Sequence, residues 1–242
     1  MIRFISIILF LVIYFIVTIP VVLIAFFIGI FNKHIRDVIA FKFVQVGFRI
    51  VILISGSKID VFGKENIPQD TSALYIGNHN GFFDVVVGYA VVPNLTGFIA
   101  KKEFEKIPGL NWWMYLVNCL FLDREDPKAG LKTILKAIEY IKSGISIFVF
   151  PEGTRSRTGE MGEFKEGTFK IATKSKHPVV PVAYTGTADA FENHFPKVKP
   201  SRMTITFGEP IYPDSLSRDE QKQLGHITKE RIQSMLDNAN AN

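Results

Sequence analysis

The chain has almost no cysteine. Cys119 is the only one among 242 residues. An intramolecular disulfide and a cysteine-based zinc site are both excluded. No Gly-x-Ser-x-Gly occurs, so a serine nucleophile on a strand-to-helix elbow is excluded as well. The five histidines do not fall at metal-ligand spacings. No basic stripe with a recognisable nucleic-acid module is present. Charge is missing from one whole segment: no Asp, Glu, Lys or Arg lies between Phe4 and Phe31.

That uncharged run would span ~42 Å as a helix, against a hydrocarbon core of ~30 Å. It is too long for a signal-peptide core, and Pro20 is expected to kink it. A second apolar stretch, Val38 to Ile54, is interrupted by Lys42, Gln45 and Arg49. Spacings of three and four residues put these on one helical face. The favoured reading is an interfacial helix with that face on anionic headgroups. The alternative packs the helix on its neighbours. Trp112-Trp113 suits either a membrane interface or a core. Residues 1–56 are expected to form a two-helix membrane anchor, and residues 57–242 one domain. A net charge of +5 and 48% apolar residues fit a membrane protein whose basic side faces the cytoplasm.

Beyond Gly56 strand and helix patterns alternate. Strands are expected at Lys58–Phe62, Ala73–Gly77, Thr96–Ala100, Leu120–Leu122, Ile145–Phe150, Val179–Tyr184 and Met203–Phe207. Asp126-Pro127 opens a helix with an apolar stripe of Leu131, Ile134, Leu135, Ile138 and Ile141. Lys165–Lys176 reads as another helix. Ser217-x-x-Glu220 is a capping box for a last helix reaching about Leu236. The fold class is α/β: a mixed, largely buried sheet flanked by helices, after the N-terminal anchor.

Three polar clusters follow expected strands, where α/β proteins place their sites. The first is Asn78-His79-Asn80-Gly81-Phe82-Phe83-Asp84. A histidine can take a hydroxyl proton near neutrality, and a carboxylate can hold its tautomer and its cation. On a straight helix the two side chains would point ~140° apart. His79 must therefore sit in a turn from which Asp84 reaches back; otherwise the pair is a coincidence. The second cluster is Phe150-Pro151-Glu152-Gly153-Thr154-Arg155-Ser156. Its glycine turn and arginine suit an anion, or merely a solvated surface turn. The third ends in Asp123-Arg124, another basic strand end or a plain surface ion pair.

Taken in order, these blocks resemble the glycerophospholipid acyltransferases, specifically the bacterial 1-acyl-glycerol-3-phosphate acyltransferases of the PlsC type. His79 and Asp84 match the His-x-x-x-x-Asp motif. Cys119–Arg124 is similar to the second block, Phe150–Ser156 to the third, and Lys165 with Gly167 to the Lys-x-Gly after it. Val179–Val182 and Gly208–Ile211 resemble later features. One departure is Asn118, where the second block often begins with Gly. The resemblance implies that His79 deprotonates the sn-2 hydroxyl of lysophosphatidic acid and that Asp84 orients it. It implies an acceptor-phosphate site of Arg124, Glu152, Gly153, Thr154 and Arg155 with Lys101, for which Lys102 is an equal candidate. Acyl-CoA or acyl-carrier protein would be the co-substrate, with no metal, cofactor or nucleic acid, and the product phosphatidic acid in a membrane. Another lysolipid acceptor, a thioesterase, or a non-catalytic lipid-binding or transfer protein on the same scaffold are the alternatives.

Overall fold

The computed structural model describes residues 1–240. Three helices come first: α1 (Ile2–Val17), α2 (Ile19–Phe31) and α3 (Lys33–Ser55). There follow β1 (Lys58–Phe62), β2 (Leu74–Gly77), α4 (Phe82–Val91), β3 (Thr96–Lys101), α5 (Leu110–Leu116), β4 (Leu120–Leu122) and α6 (Pro127–Lys142). The remainder is β5 (Ser146–Val149), α7 (Lys170–Ser175), β6 (Val179–Thr185), α8 (Thr187–Ala190), β7 (Arg202–Phe207), α9 (Arg218–Lys222) and α10 (Leu224–Asn240).

The seven strands form one sheet in the order β1-β7-β6-β2-β5-β3-β4. Only β6 and β7 pair antiparallel. The five strands from β6 to β4 run parallel, so their C-terminal ends line one edge. Side chains alternate across this sheet. Tyr75, Phe148, Val182 and Tyr184 join an apolar cluster that extends through Phe41, Val51 and Ile52 of α3 to Ile7 of α1 and Val22 of α2. Leu74, Ile76, Ile147 and Val149 face the other way, onto Ala137 and Ile141 of α6 and Ile232 of α10. Both faces are covered, as a mostly parallel sheet requires.

The uncharged N-terminal run bends by 49° between α1 and α2. Pro20 lies in the first turn of α2, where it lacks the N–H that would continue the α1 ladder. Helix α3 is long and apolar enough to cross a membrane, and the bent pair α1–α2 meets the same test when taken together. Ile16, Val17, Leu23, Phe27, Ile30 and Phe31 are all exposed, and an apolar patch of that extent marks an interaction surface.

The polar stripe of α3 is engaged within the chain through Gln45 and Arg49, although Lys42 and Arg49 keep exposed surface. Those two meet the C-terminus of α4. The Gln45 amide donates to the carbonyls of Tyr89 (3.2 Å) and Val92 (2.9 Å). Arg49 donates to the Ala90 carbonyl from both Nε (3.2 Å) and Nη2 (3.1 Å). Lys42 contacts Gln45 Oε1 at 3.2 Å. The last carbonyls of a helix have no partner within it, and here a neighbouring helix supplies one. The three residues share one face as their spacing requires, and what Gln45 and Arg49 meet on it is the end of α4: periodicity assigns a side, not what covers it.

Other differences are local. In α6, Leu131 and Leu135 are 58% and 52% exposed, because the sheet covers only the arc of Ile134, Ile138 and Ile141. The Lys165–Lys176 segment begins as a 3-10 turn, Glu166–Phe169, before α7. The Ser217–Glu220 box is formed, but that helix stops at Lys222 and α10 restarts at Leu224. Trp113 is buried, its Nε1 donating to Thr18 Oγ1 at 3.2 Å, whereas Trp112 is exposed.

Asn118 has φ +58°, and its carbonyl leaves no room for a Cβ at Gly97. A left-handed residue is required here. Asn tolerates that region better than other side chains, which explains how it stands in for glycine. Next to it, the Cys119 thiol is buried 3.1 Å from the Tyr89 hydroxyl. Burial pushes its pKa up, against the opposing pull of that hydroxyl.

Three outcomes are expected. Gln45→Met and Arg49→Met strand buried carbonyls, and each is expected to cost about 1–3 kcal/mol, read as a lower Tm in detergent. Asn118→Gly preserves stability, whereas Asn118→Ala costs about 1–2 kcal/mol in the same melt. Iodoacetamide at pH 8 leaves the native protein unmodified and alkylates Cys119 once it is unfolded, detected by mass spectrometry.

Candidate active site

The parallel edge brings the polar clusters together. Strand β2 delivers Asn78–Asp84, its neighbour β5 delivers Phe150–Ser156, and β3 and β4 end at Lys101 and just before Arg124. The side chain of Asn78 locks the first turn to β6: its Oδ1 accepts from Tyr184 N (2.8 Å) and its Nδ2 donates to Tyr184 O (3.0 Å).

His79 lies in the turn before α4, and Asp84 is the third residue of that helix. The geometric demand set by the spacing is met. His79 Nδ1 lies 2.8 Å from Asp84 Oδ2. The same oxygen accepts from Asn80 N (2.7 Å) and Gly81 N (2.8 Å). Those N–H groups are unpaired donors at a helix start, and a carboxylate there is favoured by the helix dipole. Asp84 is fully buried, while the His79 side chain is 19% exposed. With Nδ1–H donated to Asp84, Nε2 is the acceptor left for a substrate proton. The imidazole stacks on the Phe150 ring, centroids 4.1 Å apart and planes 13° apart. Phe150 in turn leans on Phe148 and Tyr184. Burial, and then the charge of Asp84, hold the Tyr184 phenol well above its ordinary pKa, so it stays neutral beneath the pair.

The second cluster folds over the first. Glu152 accepts from His79 N through Oε1 (2.8 Å) and from Gly162 N through Oε2 (2.8 Å). Ser156 N donates to His79 O at 2.7 Å. Gly153 has φ +75°, and a Cβ there would lie 3.0 Å from Lys165 Nζ and 3.8 Å from Arg124 Cζ. Two cations therefore converge on the glycine turn. Among the described residues, neither has a carboxylate partner within ion-pair distance. Thr154 is exposed on the same turn. Arg155, on the same turn, already has partners. It pairs with Glu192 Oε1 at 2.9 Å and lies over the Phe82 ring at 4.2 Å.

Lys101 and Lys102 are separated by their partners. Lys102 is held by Asp123 at 2.7 Å, and that hydrogen bond raises its pKa. Lys101 makes no ion pair among the described residues. Two contributors were not assigned a role from sequence. Lys165 was visible in its Lys-x-Gly match. Glu192 lies in the 3-10 turn Glu192–His194, outside every motif. No group of three His, Cys, Asp or Glu able to hold a metal exists among the described residues.

The acyltransferase family profile matches residues 58–185. The chain is 34% identical over 182 residues to a 1-acyl-sn-glycerol-3-phosphate acyltransferase of Cocos nucifera, covering 75% of this chain and 58% of that protein. It is 39% identical over 131 residues to the chloroplastic BAT2 enzyme of the same description from Brassica napus, covering 54% and 38%. The chain thus spans about half the length of these plant relatives. Over 202 residues it is 29% identical to the Bacillus subtilis (strain 168) protein of that description, covering 83% and 93%. The crystal structure of the 1-acyl-sn-glycerophosphate (LPA) acyltransferase PlsC from Thermotoga maritima superposes with a TM-score of 0.78 at 28% identity, covering 99% of this chain and 98% of that one. With the His79–Asp84 pair and its surrounding blocks lying inside or beside the matched region, the chain belongs to the acyltransferase family.

Proposed function

We propose that the protein is a lysophosphatidic acid acyltransferase: it moves a fatty acyl group from a thioester donor to the sn-2 hydroxyl of 1-acyl-glycerol-3-phosphate, giving phosphatidic acid. One observation carries this reading. An imidazole whose Nδ1 is held by a buried carboxylate at 2.8 Å stands beside a glycine turn on which two cations, Lys165 and Arg124, converge.

The chemistry follows from that arrangement. His79 Nε2 takes the proton of the acceptor hydroxyl as its oxygen attacks the thioester carbonyl. Asp84 holds the tautomer and stabilises the imidazolium. The tetrahedral intermediate expels the thiolate, which takes the proton back from His79, and the ester is complete. Direct attack needs no acyl-enzyme. Arg124, with Lys101, Gly153, Thr154 and Arg155, binds the acceptor phosphate, and Lys165 is added to that set because it faces Gly153. Glu152, itself an anion, shapes the site by tying His79 N to the loop at Gly162. The donor is acyl-CoA or acyl-carrier protein. Residues 1–56 form the membrane anchor, which the exposed apolar surface of α1 and α2 supports, and residues 57–242 the catalytic domain, on the cytoplasmic face of the cell membrane, a reading that rests on the basic net charge. A pure lipid-binding or transfer protein would not need an imidazole held in one tautomer.

The test follows free thiol and lipid product with acyl-CoA, with and without lysophosphatidic acid. Thiol release is expected to require the lipid and to yield phosphatidic acid. His79→Ala and Asp84→Asn are each expected to lower kcat by on the order of 10²-fold or more. Release without acceptor would identify a thioesterase instead. Full activity in His79→Ala would remove His79 as the base.

A further inference from the structure

The catalytic turn leads directly into an apolar surface. Phe82 follows Gly81 in the turn that carries His79, and it opens α4. Its N–H donates to Glu192 Oε1 at 2.8 Å. Gly81 leaves room for that carboxylate, since a Cβ there would run into it. The Phe82 ring is 48% exposed, and its centroid lies 6.0 Å from that of Phe191. Phe191 in turn lies 5.5 Å from Phe195, which is 73% exposed. On its other side Phe191 stacks on Phe4 of α1 at 5.5 Å, with planes 10° apart. Four phenylalanines from three parts of the chain thus form one ridge, running from the turn to α1, whose Ile2 and Ile5 are exposed as well. Apolar residues exposed singly need no explanation, but a contiguous set marks a binding surface.

The polar group on this ridge selects what fits it. The Arg155 guanidinium lies over the Phe82 ring at 4.2 Å. Its pair with Glu192 engages Nη1 alone, and a guanidinium has five N–H donors. An anion site therefore sits on the start of an apolar path, three residues along the chain from His79. The matching ligand is an amphiphile whose phosphate, hydroxyl and hydrocarbon chain branch from one small centre. The acceptor lysolipid has that form, with phosphate, free hydroxyl and acyl chain on the three carbons of one glycerol. The thioester donor does not, because a long arm separates its acyl chain from any phosphate. The far end of the ridge also meets α1, whose exposed apolar face suits the bilayer that holds the lysolipid.

We propose that Phe82, Phe191 and Phe195 form the subsite for the sn-1 acyl chain of the acceptor, which lies along the ridge between α1 and the catalytic turn while its phosphate meets Arg155. The inference rests on the lysophosphatidic acid acyltransferase reading above. The chain covers rings that water would otherwise wet, and the area covered grows with chain length. The ridge touches no reacting atom; it sets how strongly acceptors of different chain length are held.

The test compares kcat/KM for 1-palmitoyl- and 1-hexanoyl-glycerol-3-phosphate, with one acyl-CoA in the same mixed micelles. Phe195→Ser removes the outermost ring of the ridge. It is expected to lower the palmitoyl-over-hexanoyl ratio by about fivefold, through KM for the palmitoyl acceptor. Phe195→Leu, which keeps an apolar surface, is expected to hold the ratio within about twofold of wild type. The preference between decanoyl- and palmitoyl-CoA as donor is expected to stay as in wild type. Should Phe195→Ser not fold, Phe82→Leu, which narrows the ridge without adding a polar group, shifts the acceptor ratio in the same direction by less.

An unmoved acceptor ratio overturns the proposal. If it comes with weaker sedimentation on vesicles of phosphatidylcholine and phosphatidylglycerol, Phe195 is a bilayer contact instead. A changed donor preference overturns it too, since the ridge then holds the donor chain. Each of these leaves wild-type transfer to lysophosphatidic acid intact. A wild type that acylates neither acceptor would overturn the function proposed above, and this inference with it.

Discussion

One carboxylate oxygen organises the site. Asp84 Oδ2 receives the imidazole N–H of His79 and the backbone N–H groups of Asn80 and Gly81. The last two fix the shape of the turn, and the first fixes the histidine within it. The capping of α4 and the orientation of the imidazole are therefore one interaction. A buried carboxylate is costly unless its charge is met; three donors on Oδ2 and the positive end of the helix offset that cost, while Oδ1 is buried without a hydrogen-bond partner among the described residues. The remaining parts are arranged around that point: Phe150 as the floor of the imidazole, Glu152 as the strap to the loop, Asn78 as the bolt to β6.

Helix α4 is held at both ends by groups from elsewhere in the chain. Its N-terminus carries the site, and its C-terminal carbonyls are met by Gln45 and Arg49 of α3. The apolar cluster runs without interruption from α1 to the aromatic face of the sheet. The segment most suited to lipid and the segment most suited to chemistry thus share a single mechanical element.

Much of this could be read in the sequence, for identifiable reasons. The seven strands were legible because each is a short apolar or alternating run between turn residues. The His79–Asp84 contact was legible as a demand, because Asn80-Gly81 is the only part of that spacing able to bend. Strand order was not legible, since the pairing of β6 with β2 depends on contacts distant in the chain. Glu192 stayed hidden for the same cause: it meets Phe82 across 110 residues. The stripe of α3 was seen as a face, but its destination was set by the open end of α4, which helix periodicity does not report. Leu131 and Leu135 misled because a sheet covers a narrower arc than the apolar stripe presents.

Gly81 and Glu192 also bear on how such a chain can change. The space at Gly81 is filled by the Glu192 carboxylate, so a larger residue at position 81 must displace that carboxylate from Phe82 N and Arg155. The order of substitutions then matters. A lineage that first shortened position 192 could later accept alanine or serine at position 81 without displacing anything, whereas the reverse order passes through loss of the Glu192 contacts beside the His79 turn. The two positions are coupled through one carboxylate, so a substitution at either changes the cost of a substitution at the other.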